Sequence, residues 1–370
     1  MTHTKQKAAA HVAAILTMVL AILVTVGFTG CQLTSLLPQT GGSQSSTSSQ
    51  PLGGDLPDQE PAIIVPSFLH PLTGLESNEY LASARPVSIC IGNTAYALPQ
   101  YGLSNADILV EIPVEGGISR LMMITNAYES IEKIGSVRST RPGLSAVANS
   151  FDAIQLFAGT SDEGKSSILP YDTMDYLMQN LPSIYYRDED RNAPHNLMTS
   201  GDLIKGGIQT FGYRTELGEG FTLPYCFSEY GKTVTPTDGS ALAVHMAYSP
   251  SQAVEFLYDV DTQTYARKQY GETHIDGNSE EALTFQNVFV LFANTVTHET
   301  ENGATVDLSV AEGGSGIWCS QGTWQSITWS MSEDGTMQFY DSNHEIITVN
   351  RGKSYIGFMK ASMAQAVKVQ

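Results

Sequence analysis

Hydrophobic and polar positions divide this chain into four stretches. The first is apolar: no residue from Ala8 to Phe28 carries a charge, and Lys5 and Lys7 stand just before it. The second, Gln39-Thr-Gly-Gly-Ser-Gln-Ser-Ser-Thr-Ser-Ser-Gln-Pro-Leu-Gly-Gly, is small and polar. It is too poor in apolar side chains to bury a core and predicts a flexible tether. From about Pro71 to Tyr230, strand-like runs alternate with helical ones. Arg85 to Ile91, Ala106 to Val114, Ile118 to Thr125 and Asp152 to Ala158 predict buried strands. Gly116-Gly117 suits a hairpin turn between the second and third. Gly143 to Ser150 predicts a helix. Pro170 to Asn180 predicts another, with Tyr171, Met174, Leu177 and Met178 at helical spacing. Thr199-Ser-Gly-Asp202 has the form of a capping box ahead of Leu203, Ile204, Ile208 and Phe211.

From about Ser240 the pattern becomes nearly all β. Ala241 to Tyr248, Ala253 to Tyr258, Tyr265 to Tyr270, Phe285 to Val296 and Thr305 to Val310 are short runs rich in β-branched and aromatic residues. Gln325 to Met331, Met337 to Tyr340, Glu345 to Val349 and Ser354 to Met359 continue the series, with Gly, Asp and Asn between them as turn signals. The expected fold class is α+β: a mixed α/β domain over residues 71–235, then a mainly antiparallel β domain over 236–370.

The apolar N-terminal stretch ends in Phe28-Thr29-Gly30-Cys31, small residues directly before a cysteine. It has the parts of a secretory signal, with a cysteine where Ala-x-Ala would close one. This looks like a bacterial lipobox: residues 1–30 would be removed, Cys31 would receive a diacylglycerol, and residues 31–70 would form the tether. Each buried methylene contributes about 0.8 kcal/mol, and two chains anchor stably where one does not. An uncleaved signal anchor is the alternative, since the stretch is about long enough to cross a ~30 Å hydrocarbon core. Either way the rest of the chain lies on the extracytoplasmic face of the cell membrane.

Charge then narrows the partners. The chain carries −19 net, and losing Lys5 and Lys7 makes it two units more negative. Such a surface repels phosphate backbones, so nucleic acid is not an expected partner. Once Cys31 is acylated, Cys90, Cys226 and Cys319 remain, an odd number with no metal-ligand spacing. Cys90 and Cys319 sit in apolar runs and read as small core residues; nothing in the spacing argues for a Cys90–Cys226 bridge. His298-Glu299 and His344-Glu345 lack a second histidine. Asp188-Glu-Asp-Arg-Asn192 lacks the glycine and closing glutamate of a calcium loop. No metal and no cofactor is expected.

One polar constellation stands out. Glu111 and Glu115 flank a strand end ahead of Arg120, Arg138 and Arg141 lie three apart at a strand-to-helix junction, and Arg191-Asn-Ala-Pro-His195-Asn196 forms a polar turn. Arginine forks suit carboxylates or phosphates. Three readings stay open. The arginines could pair with Glu111, Glu115 or Asp107 inside the fold. They could hold an anionic ligand, with Glu111, Glu115, Arg120, Arg138, Arg141, His195 and Asn196 around it. Or His195 could act as acid or base in catalysis.

At these residues the chain resembles the YerB-type bacterial lipoproteins, a two-domain family of unknown function. The matching stretches include Arg85-Pro86, Pro99-Gln-Tyr-Gly-Leu-Ser-Asn-Ala-Asp-Ile, Glu115-Gly-Gly-Ile-Ser-Arg120, Gly135-Ser-Val-Arg138-Ser-Thr-Arg141 and Pro194-His-Asn196. They continue through Asn287-Val, Gly314-Ser-Gly and Ile327-Thr-Trp329 to Gly352-Lys353. The resemblance implies an N-terminal α/β-type domain, a β-rich C-terminal domain and a lipid anchor, and no established reaction. Where that family often has a His and a Gly-Gly-Ser, this chain reads Leu156-Phe-Ala-Gly-Thr-Ser161.

The expected function is a lipid-anchored extracytoplasmic binding or assembly factor of the cell envelope, partnered by an envelope protein or a cell-wall ligand. The alternative is an enzyme acting on wall peptide or glycan through the Arg/Glu/His cluster. Trp318, Trp324 and Trp329 would be either a sugar platform or sheet core.

Overall fold

The computed structural model describes residues 63–370 apart from 180, 182, 301 and 302. The expected signal peptide over residues 1–30, Cys31 and most of the expected tether over 31–70 lie outside the described residues. Val87–Asn93, Ile108–Pro113 and Ser119–Thr125 are buried along their whole length. They therefore read as largely apolar runs without strict alternation, the mark of strands covered on both faces. They sit inside an eleven-stranded sheet. Its order is Gly239–Ser240, Thr323–Met331, Gly314–Ser320, Asn287–Ala293, Ser354–Lys360, Ile108–Pro113, Ser119–Thr125, Val87–Asn93, Ile154–Phe157 and Thr173–Asp175, with Met337–Tyr340 added beside Thr323–Met331.

Strand Ser354–Lys360 is the junction. It runs parallel to Asn287–Ala293 on one side and to Ile108–Pro113 on the other. The mixed region and the β-rich region thus share one sheet. Strands Ala243–Ser249, Gln252–Asp259 and Thr264–Gln269 form an antiparallel meander in a second sheet. It covers one face of the large sheet, where Val244, Met246, Phe256 and Tyr265 join Ile89, Leu109, Leu121 and Tyr355 in one core. Helix Gly201–Phe211 adds Ile204 and Ile208 to that core. On the opposite face lie helix Pro142–Ser150, through Leu144, Val147 and Ala148, and the rings of Phe289, Trp318, Trp329 and Phe339.

The α+β expectation holds, as does the Gly116-Gly117 hairpin: Ile108–Pro113 and Ser119–Thr125 pair antiparallel across it. Cys90 and Cys319 are buried, and no disulfide joins the cysteines among the described residues. Trp318 and Trp329 are core and Trp324 packs half-buried beside it, so the tryptophans form no exposed platform. Residues 170–180 differ from expectation. Thr173–Asp175 is a strand, parallel to Gln155–Phe157, and only Tyr176–Gln179 is helical. The open sheet edge takes Met174 as a strand residue, and Leu177 and Met178 are left exposed. The cap of the next helix is Ser200, which accepts from the Leu203 N–H, one residue later than Thr199.

Between the two sheets lies a fully buried ion pair. Glu111 Oε2 accepts from Arg267 Nη2 at 2.7 Å, with both side chains at 0% exposure. Tyr355 donates to the same oxygen at 2.8 Å, and Asn93 and Ser119 donate to Oε1 at 3.0 and 2.6 Å. Arg267 Nη1 reaches Gln269 and His274 Nδ1. Arginine only donates, so Nδ1 accepts and His274 Nε2 carries the proton toward Gln100 Oε1, 2.7 Å away. Burial, then the Arg267 charge, holds the His274 pKa well below its usual value.

A buried charge left without its partner costs about 3–5 kcal/mol. Glu111→Gln is therefore expected to lose about that much unfolding free energy in urea, and adding Arg267→Met should recover part of it. A single variant as stable as the wild type would contradict this account of the pair.

Candidate functional site

Strand alternation sorts the polar constellation onto two faces. Glu111 shares its face with Leu109 and faces the second sheet, while Arg120 shares its face with Met122, on the side of helix Pro142–Ser150. The structure therefore does not bring Glu111 to the arginines. Asp107 is likewise occupied elsewhere, 3.6 Å from His70 and accepting from the Asn126 N–H.

The remaining residues meet where two parallel strands part. Val87–Asn93 and Ile154–Phe157 pair only as far as Ile89 and Leu156. Beyond that point loop 136–141 wedges between their carboxyl ends. Gly92 N–H donates to Ser136 O and Arg138 N–H to Cys90 O on one side. Ala158 N–H donates to Arg138 O and Thr140 N–H to Gly159 O on the other. The carboxyl ends of parallel strands are where open sheets place ligands. Gly92 is needed at this approach: a Cβ there would lie 3.1 Å from Arg138 Cγ and 3.3 Å from Ser136 Oγ. Gly92 also faces Arg120 across the strand pair.

The three arginines differ in what holds them. Arg141, just before helix Pro142–Ser150, grips Glu115 with Nη2 and Nε and donates to the Thr140 carbonyl. Arg138 is half-buried and donates to the Pro194 carbonyl at 3.0 Å. Arg120 is 5% exposed, and its Nε and Nη1 are buried with no hydrogen-bond partner. Burial, and then the charges of Arg141 and Arg138, push its pKa down to about 10. Arg138 is also lowered, by burial and then by Arg141 and Arg187. Ser136 Oγ is a further buried polar atom without a partner.

His195 closes the group. Its Nδ1 is buried and unpartnered, and its ring stacks on exposed Tyr96, with centroids 6.3 Å apart. Arg191 pins the surrounding turn by donating to the carbonyls of Ala97, Pro99 and His195. Asn196 Oδ1 is taken by Arg187 Nη1 at 2.8 Å. The helix N-terminus next to Arg141 is filled too, since Asp307 accepts the Gly143 N–H. Of the expected site residues, then, Arg120, Arg138, Arg141, Glu115 and His195 cluster, Asn196 stands behind Arg187, and Glu111 lies on the other face. Tyr96, Ser136 and Arg187 join the cluster without having been singled out in the sequence. Tyr96 and Arg187 are exposed and carry no periodic signal; Ser136 was visible only as part of the Gly135-to-Arg141 stretch.

Two comparisons decide the family. The sequence matches both halves of one family, "Protein of unknown function (DUF3048)": its N-terminal domain over residues 72–214 and its C-terminal domain over 244–356. The chain belongs to this family. Among its relatives is the Bacillus subtilis (strain 168) protein named "Putative lipoprotein YerB", 29% identical over 261 residues, which are 70% of this chain and 77% of that one. The crystal structure of YerB from Bacillus subtilis superposes with a TM-score of 0.72 at 26% identity, covering 82% of this chain and all of that one. In this DUF3048 chain both family domains contribute strands to the large sheet, and the arginine cluster lies within the N-terminal match.

Burial first, and then Arg138, Arg191 and Arg120, lower the His195 pKa below its usual value of about 6.5. The shift favours the neutral ring. An NMR titration should find its midpoint below that value, and Arg138→Ala should raise it by removing one positive neighbour. A midpoint unchanged by the substitution would mean that Arg138 does not face the ring.

Proposed function

We propose that this chain is a lipid-anchored binding protein of the cell envelope, held on the extracytoplasmic face of the membrane through Cys31. Its arginine cluster grips an anionic group on an envelope ligand. One observation carries the proposal: Arg120 is a guanidinium buried inside the fold with two nitrogens that no protein group satisfies. Leaving a buried donor unmade costs about 1–3 kcal/mol, more for a charged one, and the cost is offset when an anion arrives. Glu115 is hydrogen-bonded to Arg141 and Glu111 to Arg267, so neither acid hydrogen-bonds Arg120. The name of the Bacillus subtilis relative supports the anchor, and the Ser- and Gly-rich tether supports a domain held off the bilayer.

The test has two arms. Cys31→Ser should abolish labelling by a fatty-acid probe in growing cells; labelling that survives would remove the anchor. The purified protein should pellet with isolated cell-wall sacculi, and Arg138→Ala should reduce the pelleted fraction several-fold at unchanged melting temperature. Pelleting indifferent to Arg138 would remove the site. Soluble fragments released from the sacculi, and lost with Arg138→Ala, would make the protein an enzyme instead of a binder.

A further inference from the structure

We infer that the arginine cluster takes a phosphoryl dianion, and that Glu115 is a resident carboxylate which the dianion displaces from Arg141. The inference rests on the binding role proposed above and names the chemistry of its ligand. Four observations carry it.

The Arg141–Glu115 pair is lopsided. The Arg141 side chain is 7% exposed and that of Glu115 is 37% exposed, so the acid is the half that solvent already reaches. Glu115 also opens a turn whose next two residues, Gly116 and Gly117, stand at φ +74° and +70°. Glycine occupies that left-handed region at no steric cost, and a Cβ added at Gly116 would meet nothing within 4 Å. The turn is open at Gly116, although Gly117 packs against Ser249, and the half-exposed carboxylate has solvent on one side to move into.

Arg120 needs such a movement. Its Nε and Nη1 are shielded from solvent, yet Glu115 is among the charges that act on it. A ligand that replaces Glu115 at Arg141 enters the surroundings of Arg120 as well. Ser136 Oγ, unpartnered beside Gly92 and Arg138, offers a further donor.

The charge balance selects the ligand class. Arg120, Arg138 and Arg141, with Arg187 beside Arg138, stand against two carboxylates, Glu115 and the Asp307 beside Arg141, a formal excess of two positive charges. A monocarboxylate that displaced Glu115 would exchange one negative charge for another and leave that excess as it was. A phosphate monoester near neutral pH carries about −1.5 to −2 and several strong acceptor oxygens, so it reduces the excess and satisfies more than one guanidinium. At the rim, Tyr96 presents an 83% exposed ring stacked on His195, a surface for the group that bears the phosphate.

The experiment is isothermal titration of the full chain in detergent with inorganic phosphate, glucose 1-phosphate, glycerol 3-phosphate and acetate. Phosphate is expected to bind, and to bind Glu115→Gln about tenfold more tightly than the wild type, because the competing carboxylate is gone. Glu115→Asp, which keeps the charge on a shorter arm, should fall between them. Melting curves confirm that the variants fold. Preference for glucose 1-phosphate points to a sugar-borne phosphate and preference for glycerol 3-phosphate to a lipid headgroup; either supports the inference. Phosphate affinity equal in the wild type and Glu115→Gln would overturn displacement. Acetate binding as tightly as phosphate would overturn the ligand class and leave the anion site standing. Silence with every anion in every variant would overturn the binding role itself.

Discussion

The buried contact between Glu111 and Arg267 is the constraint around which the rest of this protein is arranged. It joins the large sheet to the meander that covers it, at a place where neither charge touches water. Two charges survive there because five polar side chains are aimed at them, Asn93, Ser119 and Tyr355 at the carboxylate and Gln269 and His274 at the guanidinium, with only Arg267 Nε of the pair left unpartnered. Removing either partner would leave the other charge buried and unpaired, which ties the meander to the sheet at this point. Ser354–Lys360, hydrogen-bonded to strands from both family domains, supplies the backbone side of the same union.

That union leaves the opposite face free for a different task. With Glu111 drawn toward Arg267, the alternation of strand Ser119–Thr125 turns Arg120 to the side where no matching acid waits. Loop 136–141 then wedges Arg138 and Arg141 into the gap between two parting parallel strands. One charged pair holds the fold together, and a second group of charges is left short of a counterion. Glu115 moderates that second group from a glycine turn without neutralising it.

Much of this was legible in the sequence because it rests on short-range pattern. Largely apolar runs marked the central strands, Gly116-Gly117 marked the hairpin, and the arginines stood out in an apolar setting. What was hidden depends on long-range pairing. Nothing near Glu111 announces Arg267, which lies far along the chain in an alternating strand. Residues 170–180 carry a helical spacing, yet the sheet edge recruits Thr173–Asp175 because a paired backbone outweighs a weak local preference. Gly92 looked like any glycine in a strand, and only the approach of Arg138 and Ser136 explains it. The anchor is the reverse case: it is read from residues before the folded body and from nothing within it.

The central claim is that Arg120 is kept for a ligand and not for the fold. The most direct measurement is the urea unfolding free energy of Arg120→Met beside the wild type, in buffer free of multivalent anions. With no hydrogen bond at Nε or Nη1 to lose, the variant should be at least as stable, and removal of unmade buried donors should raise stability by about 1–3 kcal/mol. A loss of about 3–5 kcal/mol, the cost of breaking a buried pair, would contradict the account and make Arg120 a structural residue.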